Sequence, residues 1–305
     1  MIKSIDGMKL QKDVLNNKPT VTQIRQYVTL LKTSYPALTH IAVSVPINPD
    51  ADFVPFGITK VNQFEFDWIN EIHAQGLGVI LRGVFCEAEG IWGFPINQSG
   101  AQYYLDKSSV YFDRIKSVVN SSDIIGIFPE STNNAFNGKH FLGAVVPNTY
   151  LDFFTKLKTL SNQKLPNNKF LVTNNYTELA SGWAGGIPGL FGATILDHYD
   201  GSVTKMKSDL DGLKAKYNKP IFVQEWADIN NLGVNAAMAD MFKTYPVDVN
   251  FWCGWNAGNE GILSGSLGSF TLNAKGQALQ PFFALPVTDL TPRIVALEAR
   301  VATLE

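Results

Sequence analysis

PIFVQEWAD, residues 220–228, opens on three consecutive apolar residues, Ile221, Phe222 and Val223, and carries Glu225 two positions further on, between Gln224 and Trp226. A short unbroken apolar run reads as a strand buried on both faces, the kind found in parallel sheets. Side chains alternate along a strand, so Glu225 is expected to share a face with Val223 and Ile221. Such a strand delivers a carboxylate to the edge of the core, and the rest of the chain indicates where that edge lies.

Working outward, runs of the same kind recur at regular intervals. HIAVSVPIN (40–48), GVILRGVF (78–85), DIIGIFPE (123–130), KFLVTNN (169–175), ATILDHYD (193–200) and VNFWCGWNAG (249–258) are strand candidates, with GMKLQ (7–11) a weaker first one. Amphipathic stretches separate them. In TVTQIRQYVTLLKTSY, Ile24, Tyr27, Val28 and Leu31 fall on one helical face behind a Thr20 cap, and Gly76 closes the helix in QFEFDWINEIHAQG. Further helices are expected in SSVYFDRIKSVVN, YLDFFTKLKTLSN, SVTKMKSDLDGLKAKY and VNAAMADMFKTY, with a last one in GQALQPFFAL. Eight strands alternating with helices predict an α/β fold, a (β/α)8 TIM barrel over residues 1–287. A doubly wound open sheet competes, but no glycine-rich phosphate fingerprint follows the first strand.

The tail is of another kind. LTPRIVALEARVATLE (290–305) spaces Leu290, Ile294, Leu297, Val301 and Leu304 at alternating four- and three-residue steps, the seam of a coiled coil. Thr291 suits a cap and Pro292 the first helical position. Residues 288–305 are expected to form a short C-terminal coiled-coil-like helix, either joining copies of the chain into a homo-oligomer or packing on the barrel.

Composition narrows the functional classes. A 305-residue chain with 45% hydrophobic and 17% charged residues is well cored, and a net charge of -2 without any Lys/Arg cluster gives no nucleic-acid footprint. No run of eighteen apolar residues offers a membrane span, and MIKSIDGMKLQKD lacks the apolar core of a signal peptide. The expectation is a soluble protein without nucleic-acid or membrane partners, either intracellular or exported to an extracellular or virion-associated place by another route. Cys86 and Cys253 stand apart, and His40, His73, His140 and His198 make no metal-binding pair. Neither a metal nor a cofactor is expected.

Reacting groups in such a barrel stand at the C-terminal ends of the strands. Glu130 ends the fourth strand and Glu225 the seventh, across the mouth from each other. Arg82 stands near the end of the third strand, Asn175 ends the fifth, His198 and Tyr199 end the sixth, and Trp255 ends the eighth. Trp92 and Trp226 fall on a following loop and a strand end. Flat aromatic faces beside carboxylates suit pyranose rings, so these seven residues are candidate contacts for a carbohydrate substrate. Acetal hydrolysis needs one carboxyl to protonate the leaving oxygen and another to attack the sugar or activate water. Groups about 5–5.5 Å apart give retention, and roughly 6.5–9.5 Å gives inversion. A donor from His198 or Tyr199 on the neighbouring strand would keep Glu225 ionised, leaving Glu130 as the acid. Arg82 is either an ion-pair partner or a substrate contact.

Taken in order, GIFPES around Glu130, HYD around His198, IFVQEWAD around Glu225 and FWCGWNAG around Trp255 resemble clan A of the glycoside hydrolases, with family 5 the nearest comparison. The resemblance implies cleavage of a β-glycosidic bond in an oligo- or polysaccharide by double displacement. It implies Glu130 as acid/base, Glu225 as nucleophile and Trp255 as a platform under the cleaved sugar. The chain departs from the clan pattern at four places. Pro129 stands where an asparagine normally binds the sugar 2-hydroxyl, and Ser44 stands where the second strand normally carries an arginine. LRGVF lacks the histidine often found after the third strand, and His198 and Tyr199 are adjacent, so one of the two faces the mouth. These departures describe a divergent member, or a family other than 5; Pro129 and Ser44 favour the other reading, a catalytically silent glycan-binding barrel presented by a C-terminal oligomerisation helix.

Overall fold

The computed structural model of the chain describes residues 1–8, 19–47, 62–84, 98–127, 147–172, 174–181, 194–198, 201–226, 232–251, 261–266 and 268–285. Nine β-segments lie side by side: β1 (Lys3–Met8), β2 (His40–Pro46), β3 (Gly78–Val84), β4 (Ile124–Ile127), β5 (Lys169–Val172), β6 (Asn174–Asn175), β7 (Thr194–Asp197), β8 (Ile221–Trp226) and β9 (Asp248–Phe251). Their order is β5-β4-β3-β2-β1-β9-β8-β7-β6, and every pairing is parallel. The two ends of that order, β5 and β6, are separated in the chain only by residue 173. β5 pairs with β4 while β6 pairs with β7, so the sheet returns on itself. Nine segments thus make the eight strands of a closed barrel, and the open doubly wound sheet is ruled out.

Helices α1 (Val21–Ser34), α2 (Asn62–Ala74), α3 (Gln98–Ile115), α4 (Pro147–Lys164), α5 (Tyr176–Ser181), α6 (Val203–Tyr217) and α7 (Leu232–Thr244) alternate with the strands. Local chemistry explains several of their limits. Thr20 accepts from the Gln23 amide at 3.3 Å and Gln23 Oε1 accepts from the Thr20 amide at 2.9 Å, a reciprocal cap that satisfies two donors at the start of α1. The buried face of α1 is the expected Ile24, Tyr27, Val28 and Leu31. Gly76, with φ +69°, takes the left-handed conformation that turns the chain after α2. Ser202 caps α6 by accepting from the Lys205 amide at 3.2 Å.

The helices cover the barrel through aromatic side chains. Tyr27 of α1 meets Trp68 of α2 edge to face at 5.6 Å. Phe251 of β9 stands between Trp226, Phe242, Phe282 and Phe283. Beyond β9 a hairpin of β10 (Leu263–Ser264) and β11 (Thr271–Leu272) leads into α8 (Ala274–Leu279). α8 is tied to the end of α1 by Tyr35 Oη donating to the Gly276 carbonyl at 2.8 Å.

Two differences from the sequence reading have physical reasons. The first strand begins at Lys3, not Gly7, because Ser4 and Asp6 are not surface residues. Both are buried, and Ser4 donates to the Val249 carbonyl at 3.1 Å. The hairpin and α5 were not expected, being too short to carry a periodicity. The C-terminal helix expected over residues 288–305 lies outside the described residues. No helix among the described residues is long and apolar enough to cross a membrane.

Candidate active site

β8 delivers Glu225 to the barrel interior by a route that alternation alone does not predict. Against β7, Leu196 pairs with Val223 and Asp197 with Glu225. Against β9, Val223 pairs with Val249 and Trp226 with Phe251. Between Val223 and Glu225, β8 therefore holds one residue more than either neighbour, a β-bulge. The faces follow from the partners. Phe251 looks out onto the helices, and Asn250 looks in, where its amide donates to Asp6 Oδ1 at 2.8 Å. Val249, and Val223 beside it, thus point outward. The extra residue resets the parity, so Glu225 points inward while Val223 does not. The expectation that Glu225 shares a face with Val223 and Ile221 is corrected in this way, although the inward direction stands.

Inside the barrel Glu225 is 7% exposed and Arg82 3% exposed. Arg82 Nη2 donates to Glu225 Oε1. The other terminal nitrogen, Nη1, faces both oxygens of Asp6 at 3.4 and 3.5 Å. Asp6 in turn receives the Asn250 amide, whose second hydrogen goes to the Gln224 carbonyl at 2.9 Å. Buried charges are tolerated only when paired and hydrogen-bonded, and here one guanidinium serves two carboxylates. Ser44 stands beside Arg82 in the β2–β3 register, one strand away. Of the two roles open to Arg82, the described contacts are those of an ion-pair partner. Its described ion-pair partners are Glu225 and Asp6.

His198 follows β7 and touches Glu225 through the backbone, its amide donating to the Glu225 carbonyl at 3.1 Å. Its ring turns toward the helix layer. It stacks on Tyr176 at 4.2 Å between centroids, and Nε2 reaches Asp209 Oδ2 of α6 at 2.9 Å. Burial alone would raise the Asp209 carboxyl. Hydrogen bonds from Lys205, Tyr176 and His198 outweigh burial and hold it below the usual carboxylate value. The structure does not bring Trp226 to the site. Its indole is 1% exposed and lies edge-on to Phe251 and Phe242, at 5.9 and 6.2 Å, between sheet and helix. Adjacent residues on a strand point oppositely, so Glu225 inward means Trp226 outward.

Asn175 ends β6 opposite Asp197. Glu130, Tyr199, Trp92 and Trp255 lie outside the described residues. Asp6, Gln224 and Asn250 were missed by the sequence reading. The available signal for Asp6 was the acid near a strand end that had singled out Glu225, lost when the first strand was started at Gly7. Among the described residues, no three of His, Cys, Asp and Glu converge as a metal site would require. A cavity of 280 Å³ opens at the other end of the barrel, where Ile2, Lys169, Pro220 and Asp248 mark the strand starts. That end of such a barrel serves stability rather than chemistry.

No protein-family model and no curated protein matches the chain. Solved structures do. A GH113 β-1,4-mannanase aligns with TM-score 0.61 at 11% identity, over 93% of this chain and 98% of its own. A family 1 β-glucosidase from Thermotoga maritima aligns with TM-score 0.61 at 11% identity, over 92% and 93%. A Bacteroides uniformis β-glucuronidase aligns with TM-score 0.62 at 12% identity over 86% of this chain, which spans only 33% of that larger protein. At such identities the likeness is one of fold. It is the closed α/β barrel that the strand order describes.

Proposed function

We propose that the chain is a retaining glycoside hydrolase, a divergent clan A enzyme, family 5-like in its motifs, that cleaves a β-glycosidic bond in an oligo- or polysaccharide. The observation that carries this reading is Glu225, a carboxylate turned by a bulge into the C-terminal end of a closed barrel and ion-paired there with Arg82. Double displacement needs a charged carboxylate in place before the sugar arrives, and a neighbouring guanidinium favours the charged form. In this proposal Glu225 attacks the anomeric carbon. Glu130, at the end of the fourth strand, protonates the leaving oxygen and then activates water. Trp255 supports the sugar, and Tyr199, Asn175 and Trp92 are the further substrate contacts. The structural neighbours named above as mannanase, glucosidase and glucuronidase support the class of bond. Residues 288–305 would join copies of the chain.

The test is turnover on a panel of chromogenic and polymeric β-glycans, with the product anomer followed by NMR. Glu225→Gln and Glu130→Gln should each lower the rate by about three orders of magnitude or more, while the unfolding transition stays cooperative. The first-formed product should keep the β configuration. Near-normal activity of either variant removes that residue from the mechanism. Binding without turnover on every glycan transfers the reading to a glycan-binding barrel, to which Pro129 and Ser44 already lean.

A further inference from the structure

The barrel interior holds a circuit of side chains that begins and ends on the same strand. It runs from the Glu225 carboxylate to Arg82 of β3, on to Asp6 of β1, then to Asn250 of β9, and returns to β8 at the Gln224 carbonyl. Its two ends are thus the adjacent residues of the bulge. We infer that Asp6 is a positioning residue for Glu225: together with Asn250 it sets the plane of the Arg82 guanidinium, which in turn sets the orientation of the Glu225 carboxylate. The inference rests on the reading of Glu225 as nucleophile.

A guanidinium is planar, with its donors in a rigid fork, so fixing one terminal nitrogen fixes where the other points. Nη1 faces both Asp6 oxygens, and that leaves Nη2 directed at Glu225. Without Asp6 the fork loses the two oxygens that its Nη1 faces, and the direction of Nη2 toward Glu225 is less firmly set. Asp6 is itself held from two sides. Its carbonyl accepts from Tyr27 Oη of α1 at 3.2 Å, and its carboxylate accepts from Asn250 at 2.8 Å. Both hydrogens of the Asn250 amide go to acceptors, which fixes the sense of that amide although its own Oδ1 is buried with no hydrogen-bond partner. Leaving a buried acceptor without a donor is costly. The arrangement therefore places the demands of Asp6 and Gln224 above those of Asn250. Gly7, next to Asp6, belongs to the same design. A Cβ there would come within 2.5 Å of Ile41 Cγ2, so glycine lets β1 bulge against β2 just past the residue that holds Arg82.

The test compares the wild type with Asp6→Ala, Asp6→Asn and, as a control on the same strand face, Ser4→Ala. Crystal structures give the positions of the Arg82 guanidinium and the Glu225 carboxylate. Cyclophellitol aziridines of gluco, galacto and manno configuration, read by intact mass, give the rate constant and affinity of covalent labelling at Glu225. The expected result is a displaced guanidinium in Asp6→Ala, with labelling slowed about tenfold or more at nearly unchanged probe affinity. Asp6→Asn should be intermediate and Ser4→Ala indistinguishable from the wild type. A merely structural role would lower the folded fraction without changing the labelling rate of the folded molecules. Arg82 and Glu225 unmoved in Asp6→Ala, or labelling at the wild-type rate, overturns the inference. A wild type that no probe labels counts against the nucleophile reading instead, and the crystal comparison then decides the role of Asp6 alone. If Asp6→Ala does not fold, Asp6→Asn carries the same comparison.

Discussion

Asp123 and Asp6 are almost equally withdrawn from water, at 1% and 2% exposure, yet they are satisfied in opposite ways. Asp123, just before β4, accepts from the Val79 amide at 2.8 Å, the Asn120 amide at 2.7 Å and His73 Nε2 at 2.9 Å. Two of those donors are backbone groups whose places are set by β3 and by the turn into β4. Asp6, at the far end of β1, has Arg82 and Asn250 as its described carboxylate partners, both of them side chains from other strands. A carboxylate held by backbone amides staples the barrel, because its partners cannot move unless a strand does. A carboxylate held by a guanidinium sits in an arrangement that sets the direction of another charge. The contrast follows the axis of the barrel; in folds of this kind the strand starts generally serve stability and the strand ends carry the reacting groups.

Three substitutions test the difference between the two aspartates. The largest effect on stability is expected from Arg82→Met, which leaves Asp6 and Glu225 buried without their shared cation. Losing one partner of a buried ion pair costs about 3–5 kcal/mol, to be read as a drop in the urea midpoint. A midpoint close to the wild-type value would mean that the two carboxylates do not depend on Arg82. Asp123→Ala should cost less, about 1–3 kcal/mol in all, because only the Val79 amide is fully buried, while the Asn120 amide and His73 can turn to water. The rate per folded molecule should stay the same, and a fall in that rate would erase the division between stapling and chemistry.

The smallest effect belongs to His40, whose Nε2 lies 3.0 Å from the Ser122 carbonyl beside Asp123. Burial lowers its pKa, against the opposing pull of the Ser122 carbonyl, Asp123 and Asp248. The unfolded chain therefore takes up the proton first. Stability should fall as pH drops through about 6.5 and level off below the folded-state value. His40→Gln should flatten that part of a melting-temperature profile, and an unchanged slope would absolve His40. Asp209, with a depressed folded pKa, loses its contribution in a separate window below 3.8 and does not confuse the measurement.

Much of the scaffold was readable because it depends on near neighbours. The face of α1 follows from the spacing of Ile24, Tyr27, Val28 and Leu31, and its start from Thr20 and Gln23. The apolar runs around Ile80, Ile125, Phe170 and Phe222 mark strands wherever they pair. The candidate site was less readable. Glu225 stood out as an acid closing an apolar run, but its facing was inferred from an alternation that the bulge interrupts. Trp226 looked like a sugar platform by proximity, whereas its neighbour's inward turn sends it into the aromatic layer. Asp6 was passed over because a strand with a single strongly apolar residue, Ile5, gives little periodic signal.

From the sequence alone came the number and alternation of strands, the position of the acid on the seventh, and the amphipathic helices that cover them. All of these express spacing along the chain, and spacing acts through residues a few positions apart. Only the tertiary structure decided that the sheet closes between Val172 and Asn174, that β8 carries one residue more than its neighbours, and that Arg82 belongs to Glu225 and Asp6. Those outcomes depend on how parallel strands slide past one another when a barrel closes. Such register is set by the packing of all eight strands at once, so residues 76 and 143 positions from Arg82 become its partners.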